Sequence, residues 1–315
     1  MIQIPLNKEL LTKHVEIISG KILSEIENQE KSITDRDTLK CLEYLQKDDK
    51  IIEILKSNVS ELRNIIDDFE KKYPNSIGKD EYKNKDFPKS DIPKIYRTLK
   101  DEIFEKEYKN WGSRTTYGAY QFVKNIGLKT CPYCNRNYTF VVDQNDGKLR
   151  PEIDHFFPKS KYPFLAISFY NLIPSCPVCN HTKSDIVYSD LLNPYEIKKD
   201  DFKLTYTPQN ADFINIEKEK YNLDSFEVDF IKGNEENLKI FKLKELYKQH
   251  KDIIIELILK KKYYPKSYIK ELKTFGFSED EIYRYIFSNY KDEKDLSNRP
   301  LSKLTRDIAE ELGII

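Results

Sequence analysis

Only five of the 315 residues are cysteine, too few for a disulfide scaffold in a chain of this length. No stretch approaches the roughly 18 consecutive apolar residues of a membrane helix, and the opening MIQIPLNKELLTKH lacks the basic-then-apolar profile of a signal peptide. A cytoplasmic protein with no membrane partner is expected. Net charge is also missing: 53 Lys plus Arg stand against 53 Asp plus Glu. No global positive field therefore attracts nucleic acid, and any such contact has to come from a local patch. No Gly-x-x-x-x-Gly-Lys-Ser/Thr loop occurs, so an ATPase acting with this chain would be a separate protein. Internal repeats and low-complexity tracts are absent too.

What is present suits a folded protein, with 39% apolar and 34% charged residues distributed throughout. Residues 1–125 read as helical. Within KIIEILKSNVSELRNIIDDFE, the residues Ile52, Leu55, Val59, Leu62, Ile66 and Phe69 recur at steps of three and four and predict one amphipathic helix. Residues 126–195 change character. YTFVV, the turn residues Asn-Asp-Gly and LRPEID predict a β-hairpin over 138–154, and NHTKSDIVYSDLL a short helix. Residues 196–315 add a few strands and then mostly helix, with Leu243, Tyr247, His250, Ile254 and Leu257 on one stripe. His250 reads as a core or boundary histidine, His14 as a surface one, and the lysine-tyrosine stretch LKKKYYPKSYIKELK as a solvated helix with snorkelling lysines.

Four of the cysteines form two Cys-x-x-Cys pairs, Cys131 with Cys134 and Cys176 with Cys179; Cys41 reads as a small buried hydrophobe. A redox dithiol wants its first cysteine at a helix N-terminus, whereas NRNYTFVV after Cys134 reads as strand. Two pairs together supply the four thiolates of a tetrahedral structural zinc, with redox thiols or a rubredoxin-like iron as alternatives. Four thiolates leave no open position for catalysis by that ion. The nucleobase-deaminase signature needs Pro-Cys-x-x-Cys, which does not occur.

Between the pairs, Asp154 and His155 form a dipeptide suited to phosphodiester hydrolysis: a carboxylate oxygen for a hard divalent cation and an imidazole to take a proton from water. Neighbours on a strand point opposite ways, so both reach one site only where the strand ends or twists. Here IDHFFPKS, YNLIPSC and CNHTKSD resemble the HNH, or ββα-metal, endonuclease family, in its version knitted by two Cys-x-x-Cys pairs. The overall layout, including RPLSKLTRDIAEELGI, is similar to bacterial anti-phage HNH nucleases of the Septu and retron type, which work beside an ABC- or AAA-type ATPase.

The resemblance implies an α+β, mostly α, protein with a small zinc-stapled ββα-metal core between helical regions. It implies cleavage of DNA with Mg²⁺ or Mn²⁺ held by Asp154 and Asn180, with His181 as the alternative to Asn180. His155 would be the base and Asn171 the brace of its loop. Lys183 is read as a phosphate contact or a solvated helix face. Lys159 and Lys161, with Lys148 and Arg150, make the region locally basic and are nucleic-acid candidates, while Glu152 reads as an exposed hairpin residue. The competing class is a catalytically silent zinc module that binds DNA or protein.

Overall fold

The computed structural model describes residues 1–144, 147–210, 214–215, 220–264 and 266–314. Helix starts follow local capping chemistry. Asn7 caps α1 (Lys8–Glu30) by accepting from the Leu10 amide, and Asp35 caps α2 (Arg36–Gln46) through the Thr38 amide. The single helix expected across 50–70 is two, α3 (Lys50–Lys56) and α4 (Val59–Lys72). Asn58 and Glu61 form a reciprocal capping box, and that local hydrogen bonding overrides the continuous apolar stripe. After a loop of short 3₁₀ turns, α5 (Lys94–Arg97) runs through a π-helical stretch, Thr98–Phe104, into α6 (Glu105–Ser113), and α7 (Ala119–Ile126) follows.

His14 corrects its surface reading. It falls on the stripe Leu10, His14, Ile18, Ile22 and Ile26 of α1, spaced every four residues, and is buried with it. Its Nδ1 lies 2.9 Å from the Tyr117 hydroxyl and its Nε2 2.8 Å from the Ile167 carbonyl, among the rings of Trp111, Phe122 and Phe169. Burial pushes its pKa down to about 4.

The expected hairpin exists but is smaller: β1 (Val142–Gln144) pairs antiparallel with β2 (Gly147–Leu149), and the turn at 145–146 lies outside the described residues. Pro151 interrupts it, lacking the N–H that would extend the ladder. β3 (Glu152–His155) instead pairs antiparallel with β4 (Leu172–Ser175), Asp154 opposite Ile173 and His155 opposite Leu172. The excursion between them, 156–171, folds as loops and 3₁₀ turns. α8 (Pro177–Lys183) follows β4 at once, with Cys176 at its N-cap, and ends at Ser184 in a positive-φ conformation; residues 184–192, expected as helix, are not helical.

Beyond α8, β5 (Lys203–Pro208) pairs with β8 (Phe226–Lys232), and β6 (Ile214–Asn215) with β7 (Lys220–Tyr221). Helices α9 (Glu235–Ile240), α10 (Leu243–Lys248), α11 (Lys251–Tyr263), α12 (Lys266–Thr274), α13 (Glu279–Phe287) and α14 (Ser302–Glu311) complete the chain. Mixed α and β, and mostly helical, is the observed class. Buried apolar side chains from Met1 to Leu312 form one cluster that runs across residues 125 and 195. Among the described residues no helix is long and apolar enough to cross a membrane.

Candidate functional site

The four paired cysteines meet. Their sulfurs all lie within 4.8 Å of one another and are buried, with Cys134 Sγ 4.0 Å from Cys176 Sγ. A regular tetrahedron with metal–sulfur bonds of about 2.3 Å has sulfurs about 3.8 Å apart, whereas a disulfide would need about 2.05 Å. The donor set is therefore close enough to bind a metal ion and consistent with zinc. The Arg136 amide and Asn137 Nδ2 donate to Cys134 and Cys176, which favours thiolates. Cys41 is elsewhere, buried, with its thiol pushed up to about 12 by desolvation.

This cluster pins the first cysteine turn to the start of α8. The turn closes through Cys131 N–H to the Asn137 carbonyl, with Asn135 at positive φ. Asn135 also receives the Lys303 and Leu301 amides, and Tyr247 donates to the Cys134 carbonyl, so α10 and α14 brace the same turn. Between the two cysteines, Tyr133 stacks on Phe241 and donates its hydroxyl to Asp154 Oδ2 at 2.7 Å.

β3 and α8 face each other in step. Residues two apart on the strand share a face, as do residues three apart on the helix. Glu152 accordingly meets Asn180, with Oε2 accepting from Nδ2 at 2.7 Å, and Asp154 meets Lys183, with Oδ1 3.1 Å from Nζ. Lys183 corrects both of its earlier readings. It neither contacts solvent nor offers itself to a phosphate, because its ammonium is enclosed between Asp154 and the His155 carbonyl, which accepts from it at 2.8 Å. Desolvation pushes the Asp154 carboxyl up, against the pull of Lys183 and Tyr133. Glu152 is likewise not a bystander, since its other oxygen lies 3.5 Å from His181 Nε2.

His155 is the last residue of β3, and there the strand delivers both members of the dipeptide to one place. Asp154, His155, Lys159, Asn180, His181 and Tyr108 all border a cleft of about 570 Å³. His155 Nε2 lies 2.9 Å from the Ala166 carbonyl, which can only accept, so Nε2 carries the proton and Nδ1 keeps its lone pair. Burial, reinforced by the positive charges of Lys159 and Lys183, pushes its pKa down to about 3. The imidazole is neutral at physiological pH. Tyr108 packs edge-on at 4.6 Å and also carries the Lys159 ammonium over its face, while Lys159 pairs with Glu105 at 3.2 Å.

Asn171 is buried beneath this loop. Its Oδ1 accepts from the Phe157 amide, and its Nδ2 donates to the Phe157 and Leu165 carbonyls. Lys161 is not brought to the cleft. It lines neighbouring depressions beside Gly78 and Lys79, with its ammonium over the Tyr162 ring. The helical stripe expected over Leu243–Leu257 is broken between α10 and α11, where the half-buried His250 accepts from Arg136 Nε. Sequence reasoning missed Glu152, Tyr133 and Tyr108. A signal existed for the first, whose place two residues before Asp154 puts both carboxylates on one strand face.

No protein-family model matches the chain, and no solved structure matches it. A stretch of 66 residues is 42% identical to the Septu protein PtuB of Bacillus thuringiensis. The match covers 20% of this chain and 23% of that protein, so it spans under a quarter of the relative's length.

Proposed function

We propose that this protein is a metal-dependent DNA endonuclease of the HNH type, acting in bacterial anti-phage defence. The observation that carries the reading is the shared cleft: a neutral His155 with its Nδ1 lone pair free and Asn180 on the facing helix both open onto it. The partial similarity to a Septu protein supports the defence setting. A separate ABC- or AAA-type ATPase as partner belongs to the same proposal.

The donors suit a hard cation. Asn180 Oδ1 has no partner among the described residues, and Asp154, which accepts from Tyr133, Lys183 and the His155 amide, keeps one of its roughly four acceptor positions. Asp154 and Asn180 would hold Mg²⁺ or Mn²⁺, which when bound supplies neutralisation of phosphate charge and of the leaving oxygen. His155 accepts the water proton at Nδ1 while the Ala166 carbonyl holds Nε2–H and sets the ring's orientation. Tyr133 and Lys183 hold the Asp154 carboxylate still, and Lys159 places positive charge at the cleft wall.

Plasmid cleavage by the zinc-loaded protein, alone and with a candidate ATPase, tests this. Cleavage should require added Mg²⁺ or Mn²⁺ and fall by about 10²- to 10⁴-fold in His155→Ala. Metal-independent cleavage, or undiminished cleavage by that variant, would refute it. The second reading, a silent zinc module, is favoured by the engagement of both Asp154 oxygens. It predicts DNA or protein binding with no cleavage under any of these conditions.

A further inference from the structure

Glu152 has no role in the chemistry above, yet its carboxylate is the group nearest the amide end of Asn180. It sits at the start of β3, half-buried, and accepts from Asn180 Nδ2 at 2.7 Å. A carboxylate only accepts, so this contact selects the amide's NH₂ end and turns Oδ1 away from Glu152. The terminal torsion of an asparagine is otherwise broad and nearly two-fold, presenting NH₂ or oxygen with little preference. A cation can use only the oxygen. The hydrogen bond is charge-assisted, hence stronger than a neutral one, and it links strand to helix beside the Asp154–Lys183 pair.

We propose that Glu152 is a positioning residue that locks the Asn180 amide with its oxygen toward the cleft, pre-orienting it for a divalent cation. The inference rests on the reading of Asn180 as a ligand. Glu152 differs in this from Asp154, because it works through the amide and its effect depends on an acceptor at that position rather than on negative charge.

The test needs no turnover. Mn²⁺ binding to the zinc-loaded full-length protein is measured from the electron paramagnetic resonance signal of free Mn²⁺, without DNA, and thermal unfolding is recorded for each variant. Asn180→Ala should weaken binding. Glu152→Leu, which removes the acceptor, should weaken it by about tenfold or more, while Glu152→Gln, which keeps an acceptor oxygen, stays within about threefold of wild type. Adding Glu152→Leu to Asn180→Ala should change nothing further, since there is then no amide left to orient.

Wild-type affinity in Glu152→Leu, with Asn180→Ala still impaired, would overturn the inference and leave the metal reading standing. Equal losses in Glu152→Gln and Glu152→Leu would also overturn it, by showing that the charge itself is what matters. Wild-type affinity in Asn180→Ala would remove the metal reading and the inference together. Should Glu152→Leu unfold early, Glu152→Met takes its place under the same criteria.

Discussion

Asp154 and Lys183 form a 3.1 Å ion pair in which both side chains are shut off from water, at 3% and 0% exposure. Such a pair is costly to break from one side, because the surviving charge stays buried. Lys183→Met should therefore lower unfolding stability by about 3–5 kcal/mol in a denaturant titration. Asp154→Asn combined with Lys183→Met should recover a large part of that loss, since the stranded charge is gone. A single variant as stable as wild type would sink the argument.

The sulfur cluster leads to a compositional prediction. Elemental analysis should find one zinc per chain, lost in Cys131→Ser or Cys179→Ser, with a fall in thermal stability because the metal joins the cysteine turn to α8. Tyr133 hangs from the same turn, so losing the metal should also loosen its hydrogen bond to the Asp154 carboxylate. Purified protein with iron and a visible charge-transfer band would refute the zinc assignment.

Asn171 makes a third case. Its side chain satisfies one amide and two carbonyls around Phe157 and Leu165, next to the Ala166 carbonyl that orients His155. Asn171→Ala leaves the Phe157 amide and carbonyl unpaired, while the Leu165 carbonyl keeps the Ser168 amide, at a cost of about 2–3 kcal/mol. Hydrogen exchange at the Phe157 amide should accelerate sharply. Unchanged protection there would show that the loop does not depend on this bracing.

His14 sets a pH dependence. Its folded pKa, about 4, lies below the ordinary histidine value of 6.5, so between those values the unfolded chain binds a proton that the folded chain does not. Its contribution is complete above pH 6.5 and is lost as pH falls toward 4, amounting to about 3 kcal/mol. The ring is faced by Tyr117, Trp111, Phe122, Phe169 and the Ile167 carbonyl, and among the described residues no charged neighbour shifts it. Stability measured from pH 7 to pH 4 should fall more steeply in wild type than in His14→Gln. Parallel slopes would contradict the assignment.

Local spacing in the chain determined a good deal. Two Cys-x-x-Cys pairs implied a four-sulfur cluster, and the mixed, mostly helical class followed from periodicity; Asn-x-x-Glu at 58–61 encodes a helix start just as locally, although the apolar stripe across it predicts a single helix. These depend on residues a few positions apart, or on side chains whose bonding needs are narrow enough to name their partners. Tertiary structure alone decided that β3 pairs with β4 across a 16-residue excursion, that Lys183 turns inward to Asp154, and that Glu152 reaches Asn180. Each of those contacts requires a strand repeating every two residues to lie against a helix whose face repeats every three to four. Which two surfaces meet is set by how the whole core packs, and no single segment encodes that.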